Sequence, residues 1–358
     1  MNVIHLISNK VWGGGERYAL DLCRALRADG HTVMVFTRNK ADVRTPFGRD
    51  GLLSGTMRLG GAWDFLSPIR LASAIRRLHG PVVIHVHNFK DAATALAARR
   101  LCRDRYDIRV VATRHLVRPA KTDAAHQRIY ADIDAIVFVS DLARREFLST
   151  SPAVDTSRLH VVHNSVALPS HQRRDLGDTP VRLIYLGRIA AEKGLDTLID
   201  ALLKLKDLPW TLDVFGTGSG KYVLPLVAKT DSEFTDGRVH WLGHCSDIAP
   251  ALSTAHVAVV PSRAPEAFGL SIIEAFSQET AVVSTDSGAQ TEIITDGENG
   301  LLVPSDNPVA MADALRRIIT DPALRLRLAA AGLDSYNTRF GYSRFYNSIL
   351  NIYNGLPK

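Results

Sequence analysis

The chain has 358 residues, comfortable for two cores, and its 46% hydrophobic and 22% charged residues are an ordinary globular balance. No apolar run reaches the roughly 18 residues of a membrane span, and the three scattered cysteines, Cys23, Cys102 and Cys245, are too few for a disulfide framework or a zinc site. Net charge is +6 but unevenly spread: residues 1–164 hold 25 Lys+Arg against 15 Asp+Glu, a balance of +10, and the remainder 18 against 22, a balance of −4.

The opening residues, Met1 to Ile7, lack a basic segment and a cleavage site, so they are expected to start a strand rather than a signal peptide. The cysteines are then read as buried thiols of a reducing cytoplasm. Strands are expected at residues 2–8, 32–37, 82–87, 109–113, 135–140 and 159–163, and helices at 17–28, 68–78, 92–103 and 142–149. This alternation predicts a parallel α/β sheet. Residues 165–180, polar with two prolines, read as a linker. Alternation restarts with strands at 181–186, 211–215, 239–242, 257–260 and 281–285, and helices at 194–205, 271–277 and from Asn307 onward. The expected domains are therefore 1–168 and 178–339, each a Rossmann-like α/β unit, with an amphipathic C-terminal helix over 340–358. Ligands of such sheets bind at the carboxyl ends of the strands.

The motifs fall at those ends. Trp12-Gly13-Gly14-Gly15-Glu16-Arg17 follows the opening strand, and its glycines let a backbone approach a phosphate or sugar closely. It is not the dinucleotide fingerprint, because the spacing differs and the second strand ends in Phe36-Thr37-Arg38 instead of an acidic residue. Gly187-Arg188 with Lys193-Gly194 follows the first strand of the second unit, and a guanidinium fork plus an ammonium suit phosphate. Gly216-Thr217-Gly218 and Gly243-His244 repeat the strand-then-loop pattern, and the latter is expected to reach a nucleobase. Glu266-Ala267-Phe268-Gly269-Leu270-Ser271-Ile272-Ile273-Glu274 places two carboxylates around a loop that opens a helix. A helix N-terminus attracts anions, so carboxylates beside one are suited to neutral hydroxyls. A nucleotide-sugar, with a diphosphate flanked by hydroxyls, fits this arrangement.

His115 stands just past a strand end and is the histidine singled out for function; His85, His87, His163 and His244 also lie near strand ends. Asp132-Ile133-Asp134 matches a D-x-D metal pattern but is read as a helix C-terminal turn, and no His, Cys and carboxylate cluster has metal-ligand spacing in the sequence. Arg99, Arg100, Arg103, Arg105 and Arg109, followed by Arg114, Arg118 and Lys121, form a basic cluster. It reads either as a solvated face or as a surface for an anionic lipid or acceptor. No nucleic-acid partner is expected, since the arginines are not interleaved with aromatics.

In order along the chain, these pieces resemble the family-4 retaining glycosyltransferases of the two-domain GT-B fold. The N-terminal Gly loop, His115, Val162-His163-Asn164-Ser165-Val166, Gly187-Arg188 with Lys193-Gly194, Phe215-Gly216-Thr217-Gly218, Glu266 to Glu274, Ser287-Gly288-Ala289 and the loop Asp296 to Val303 carry the resemblance. Ser165 departs from it, standing where the family usually has Gly.

The resemblance implies two parallel sheets facing an interdomain cleft, an N-terminal acceptor domain onto which the C-terminal helix packs back, and a C-terminal donor domain. It implies that Glu274 holds the ribose and Glu266 the transferred sugar. Arg188, Lys193 and the backbone N–H groups of Ala267, Phe268, Gly269 and Leu270 stabilise the leaving diphosphate. Gly14 and Gly15 approach the phosphates, with Gly187, Gly216 and His244 completing the donor site, and His115 meets the donor sugar or the acceptor. The implied reaction is metal-independent front-side transfer, with retention, of a hexose or N-acetylhexosamine from a nucleotide-sugar, expected to be a UDP-sugar. The expected acceptor is a glycan or lipid-linked glycan of bacterial lipopolysaccharide or cell-surface polysaccharide, and no cofactor is expected. The expected location is cytoplasmic, peripheral on the inner face of the membrane where an anionic surface is met. The rival readings are a sugar-nucleotide epimerase, a phosphorylase-like enzyme on the same scaffold, and a non-enzymatic nucleotide-sugar-binding protein.

Overall fold

The computed structural model describes residues 1–61, 64–102, 106–167, 177, 179–245 and 247–356. Most of the expected linker, both expected domain boundaries at 168 and 178, and Arg103, Arg105, Ser246 and the last two residues lie outside that set. The chain divides into two compact units, Met1–Asn164 with Tyr342–Lys358, and Ser165–Gly341.

In the first unit the order is β1 (Asn2–Ile7), α1 (Gly14–Ala28), β2 (Thr32–Thr37), α2 (Ala41–Arg49), β3 (Leu53–Thr56), α3 (Leu66–Ile75), β4 (Val82–Val86), α4 (Ala92–Cys102), β5 (Ile108–Arg114), α5 (Ala124–Asp132), β6 (Ala135–Phe138), α6 (Asp141–Leu148) and β7 (Leu159–Val161). The second has β8 (Val181–Leu186), α7 (Leu195–Leu202), β9 (Trp210–Phe215), α8 (Gly220–Glu233), β10 (Val239–Gly243), α9 (Ala249–Ser253), β11 (Val257–Val260), α10 (Leu270–Ser277), β12 (Ala281–Thr285), α11 (Gln290–Ile293), β13 (Leu301–Val303), α12 (Pro308–Thr320) and α13 (Pro322–Ser335), after which α14 (Tyr342–Gly355) returns to the first. The sheets run β3-β2-β1-β4-β5-β6-β7 and β10-β9-β8-β11-β12-β13, and the paired strands are parallel.

A parallel sheet is covered on both faces, so its central strands are apolar at successive positions. Every residue of β1, β4 and β6 is buried. In the first unit one face packs Leu71, Ile75, Leu96 and Phe147 from α3, α4 and α6. The other packs Tyr18, Leu22 and Leu26 of α1 with Phe345, Ile349 and Tyr353 of α14. The helix starts are written locally: Asp123, Ser140, Asn307 and Asp321 each accept a backbone N–H of the first turn of α5, α6, α12 and α13, and Pro308 and Pro322 occupy positions where no N–H is needed. No helix among the described residues is long and apolar enough to cross a membrane.

The structure adds several features to the sequence reading, among them the helices α8, α9 and α11, which were not expected. Helix α2 and strand β3 fill residues that carried no clear signal, since α2 contains Pro46 and buries only Val43 and Phe47, and β3 is four residues with a glycine. The segment expected as a loop over 296–303 ends in the three-residue strand β13. Three arginines of the basic cluster are compensated: Arg99 pairs with Asp134 at 2.7 Å, and Arg100 with Asp132 and Arg109 with Asp107 at 2.8 Å. Arg114 lies over the Phe89 and Phe147 rings at 5.4 and 5.1 Å and donates to Arg118 O. Asp132 and Asp134 are thus occupied by arginines at the end of α5, as a helix-terminal turn requires. Ser165, the departure from the family pattern, is buried and its hydroxyl donates to Phe340 O at 2.5 Å.

Candidate functional site

In the second unit the sheet order sets the loops after β9, β8 and β11 side by side. Gly216 directly follows β9, where a Cβ would sit 1.8 Å from Gly187 O, so the two loops touch only because Gly216 has no side chain. Its N–H donates to Gly243 O at 2.8 Å, which joins the exposed His244 loop to the same row. Next to Gly187 stand Arg188 and, as the last residue of a single 3-10 turn, Lys193.

Lys193 Nζ lies 2.6 Å from Glu266 Oε1, and the same oxygen accepts Ser262 Oγ at 2.5 Å. Both partners are mostly shielded, with side chains 28% and 18% exposed. The loop carrying Glu266 is pinned along its length. Arg263 and Ala264 donate their N–H groups to Glu192 O, and the Arg263 guanidinium bridges Asp196 and Asp306 at 2.7 and 2.6 Å. Ala289 N–H reaches Glu266 O at 3.0 Å, and Thr285 Oγ1 donates to Ser262 O at 2.6 Å. Phe268 is buried edge-on against Phe340 at 6.1 Å.

Gly269 then turns with φ +116°, a conformation glycine tolerates and other residues do not, and it starts α10 without a side-chain cap. Ser271 Oγ ties the first turn of α10 to Leu186 O at the end of β8. Glu274 follows one turn later, half-buried. The exposed Arg188 guanidinium pairs with Glu192 at 2.7 Å, while Lys193 holds Glu266. Tyr185, whose hydroxyl donates to Arg188 O at 2.9 Å, has its pKa pushed up by burial and then by the Glu266 charge. Ser262, Arg263 and Tyr185 carried no sequence signal beyond their closeness to strand ends.

In the first unit, Gly14 and Gly15 open α1 and His115 follows β5. A Cβ on Gly15 would lie 3.4 Å from His115 Cγ, so the glycine loop and the histidine are in direct contact. His115 meets the Tyr18 edge at 4.9 Å and stacks on His87 at 5.8 Å. Behind it lies a buried group that the sequence reading missed. The β1–β4 register sets His5 beside His85, and His5 Nδ1 is 3.0 Å from His87 Nε2. Nitrogens of these three rings lie within 4.8 Å of one another. His85 uses both its nitrogens, at 2.6 Å from Thr113 Oγ1 and 2.6 Å from Tyr353 OH.

Burial drives these pKa values down: His5 to about 3, His115 to about 4, and His85 and His87 well below the usual imidazole range, with the neighbouring imidazoles adding to the effect on the last two. The imidazoles are therefore neutral at pH 7. His5 Nε2, His87 Nδ1 and His115 Nε2 are buried without a hydrogen-bond partner among the described residues. Nearby Glu16, buried and accepting from the Asn9 amide, is raised by desolvation.

Residues 12–168 match the family described as Glycosyltransferase Family 4, and residues 169–334 match that described as Glycosyl transferases group 1. Over 95% of its length, and 85% of the other's, the chain is 26% identical to a D-inositol 3-phosphate glycosyltransferase of a Nocardioides species. It is 32% identical to the lipopolysaccharide core biosynthesis mannosyltransferase LpcC of Rhizobium leguminosarum bv. viciae, over 48% of this chain and 49% of that one. The crystal structure of Anabaena HepE in complex with UDP and glucose has the same fold, with a TM-score of 0.82 over 99% of both chains at 19% identity.

Proposed function

The chain belongs to the group 1, family 4 glycosyltransferases of the GT-B fold, and from that premise we propose that it transfers a hexosyl or N-acetylhexosaminyl group from a UDP-sugar to a saccharide acceptor with retention of configuration. The observation that carries this reading is the Lys193–Glu266 contact beside the N-terminus of α10. A cation, a helix start and a carboxylate converge at the carboxyl end of β8 and β11, where a nucleotide-sugar presents its diphosphate and its hydroxyls.

The roles follow from charge. Breaking the bond from the anomeric carbon to phosphate gathers negative charge on the departing UDP. Lys193, Arg188 and the N–H groups of Ala267 to Leu270 are the groups to receive it, and such preorganised stabilisation is usually the largest catalytic contribution. Glu266, held by Lys193 and Ser262, is aimed at sugar hydroxyls, and Glu274 at the ribose. Gly187, Gly216 and His244 line the donor side. In the first unit, Gly14 and Gly15 are assigned to the phosphates, and the neutral His115 to the transferred sugar or the acceptor. The leaving phosphate takes the acceptor's proton, so no side chain is asked to act as base. Because the two cations supply the charge, the reaction is proposed to run without a divalent metal.

A UDP donor is supported by the UDP complex of Anabaena HepE, and a lipopolysaccharide acceptor by the likeness to LpcC. The test is UDP release from UDP-sugars with and without a lipopolysaccharide-core acceptor, analysed for the anomeric configuration of the product. Inversion would refute retention, and release that ignores the acceptor would refute transfer.

A further inference from the structure

The buried histidines of the first unit continue into its C-terminal helix. His85 and Tyr353 of α14, 268 residues apart in sequence, meet at 2.6 Å through Nδ1 and the phenol oxygen. On its other side His85 Nε2 lies 2.6 Å from Thr113 Oγ1, and that oxygen is 3.3 Å from Tyr18 OH. Tyr18, His85, Thr113 and Tyr353 are all buried.

His85 is the hub of this group. It meets the Tyr18 ring at 6.5 Å, edge to face, and stacks on His87 at 4.4 Å. Tyr18 and His87 are the two rings that hold His115, with Gly15 against the imidazole as well. His115 Nε2 has no hydrogen-bond partner among the described residues, so packing against these neighbours sets the ring.

Two other tyrosines fasten α14 to α1. Tyr342 OH donates to Asp21 O at 2.6 Å, and Tyr346 OH to Asp29 Oδ2 at 2.9 Å. Phe345 and Ile349 fill the space between. Tyr353 alone of the three sends its hydroxyl into the histidine group. A phenylalanine would fill the same space; what the hydroxyl adds is direction.

Burial keeps His85 neutral and holds the proton on the Tyr353 phenol. A neutral imidazole has one N–H and one lone pair. Tyr353 OH has no other hydrogen-bond partner among the described residues, so it donates to Nδ1, and Nε2–H donates to Thr113 Oγ1. One hydroxyl thereby fixes both the tautomer and the rotation of the His85 ring.

We propose that Tyr353 and His85 are positioning residues for the transfer: through Tyr18 and His87 they hold the His115 ring in the orientation at which it meets the sugar or the acceptor. This rests on the assignment of His115 under the proposed function.

Tyr353→Phe in the full chain removes one oxygen and keeps the ring. It is expected to lower kcat for sugar transfer about tenfold, with KM for the UDP-sugar within about twofold, because a small misorientation at the reacting centre is costly. Tyr342→Phe, which loosens the same helix outside the histidine group, is expected to leave kcat unchanged. Thr113→Val breaks the chain of contacts from the other side with a side chain of the same shape. It is expected to reproduce the loss, and it takes the place of Tyr353→Phe should that variant not fold. Long-range ¹H–¹⁵N spectra of the imidazoles read the ring without turnover, with His115 identified by its absence from His115→Gln. Its nitrogen signals are expected to shift in Tyr353→Phe and to stay in place in Tyr342→Phe. Unchanged kcat in the folded Tyr353→Phe and Thr113→Val variants, equal losses in Tyr342→Phe and Tyr353→Phe, or unmoved His115 signals overturns the proposal. If the natural protein transfers no sugar, the function reading fails, and the spectra still decide whether Tyr353 orients His115.

Discussion

Lys193 Nζ and Glu266 Oε1, 73 residues apart in sequence, stand 2.6 Å from each other at the ends of adjacent strands β8 and β11. The pair neutralises itself, so neither member leaves a bare charge in a half-buried site. It also fixes the ammonium beside the α10 N-terminus. A positioned cation of this kind contributes mainly when charge develops in the transition state.

Replacing Lys193 by Ala is expected to lower kcat for UDP release about 10²–10³-fold, with a smaller rise in KM. Glu266→Gln is expected to lose a comparable factor, and the double variant much less than the product of the two, because the residues act as a unit. Steady-state kinetics of all three variants measure this. Fully multiplicative losses would show that the residues act independently.

Gly216→Ala is expected to destabilise the second unit by about 3 kcal/mol. The added Cβ would meet Gly187 O at 1.8 Å, and that neighbour is backbone, which cannot swing aside. Urea denaturation of the variant checks the size. A loss below about 0.5 kcal/mol would fall within the range of an ordinary surface change and would show that the two loops separate freely.

Stability is expected to fall as pH drops below about 6.5, the ordinary histidine value. His5, at about 3 in the folded protein, and His85 and His87, well below the usual range, take up protons in the unfolded chain first. Between their folded and unfolded pKa values the unfolded state therefore binds more protons, and stability increases with pH. The slope is about 1.4 kcal/mol per pH unit for each such histidine. Their stabilising effect is complete above pH 7 and is lost progressively on acidification. Urea midpoints from pH 8 to 5 report it, and a flat profile would contradict neutral burial of the three rings.

Removal of divalent ions is expected to leave the rate unchanged. EDTA-treated protein assayed with UDP-sugar, with and without added Mn²⁺, measures this. Activity lost to EDTA and regained with Mn²⁺ would move the diphosphate charge from Arg188 and Lys193 to a metal.

The parts legible from the chain were those with a local physical cause. Alternating apolar runs marked β1, β4, β8 and β11. Glycines after strands marked the loops at 14–15, 187, 216 and 269, because close backbone approach and left-handed φ are properties of single residues. The sequence alone also placed Lys193 and Glu266 each after a strand, but not against each other.

Tertiary structure decided what depends on partners far along the chain. Strand register set His5 beside His85, 80 residues away, and built a neutral imidazole stack out of histidines that look unremarkable in sequence. Asp132 and Asp134 came to meet Arg100 and Arg99, pairing part of an apparent basic patch. Arg38, Lys40, Arg58 and Arg70, scattered and without pattern, came to line one cavity. Charge counts and motifs read residues one neighbourhood at a time. Electrostatic potential and desolvation are fixed by what the folded sheet brings within a few ångströms, and pairing of distant segments chooses that.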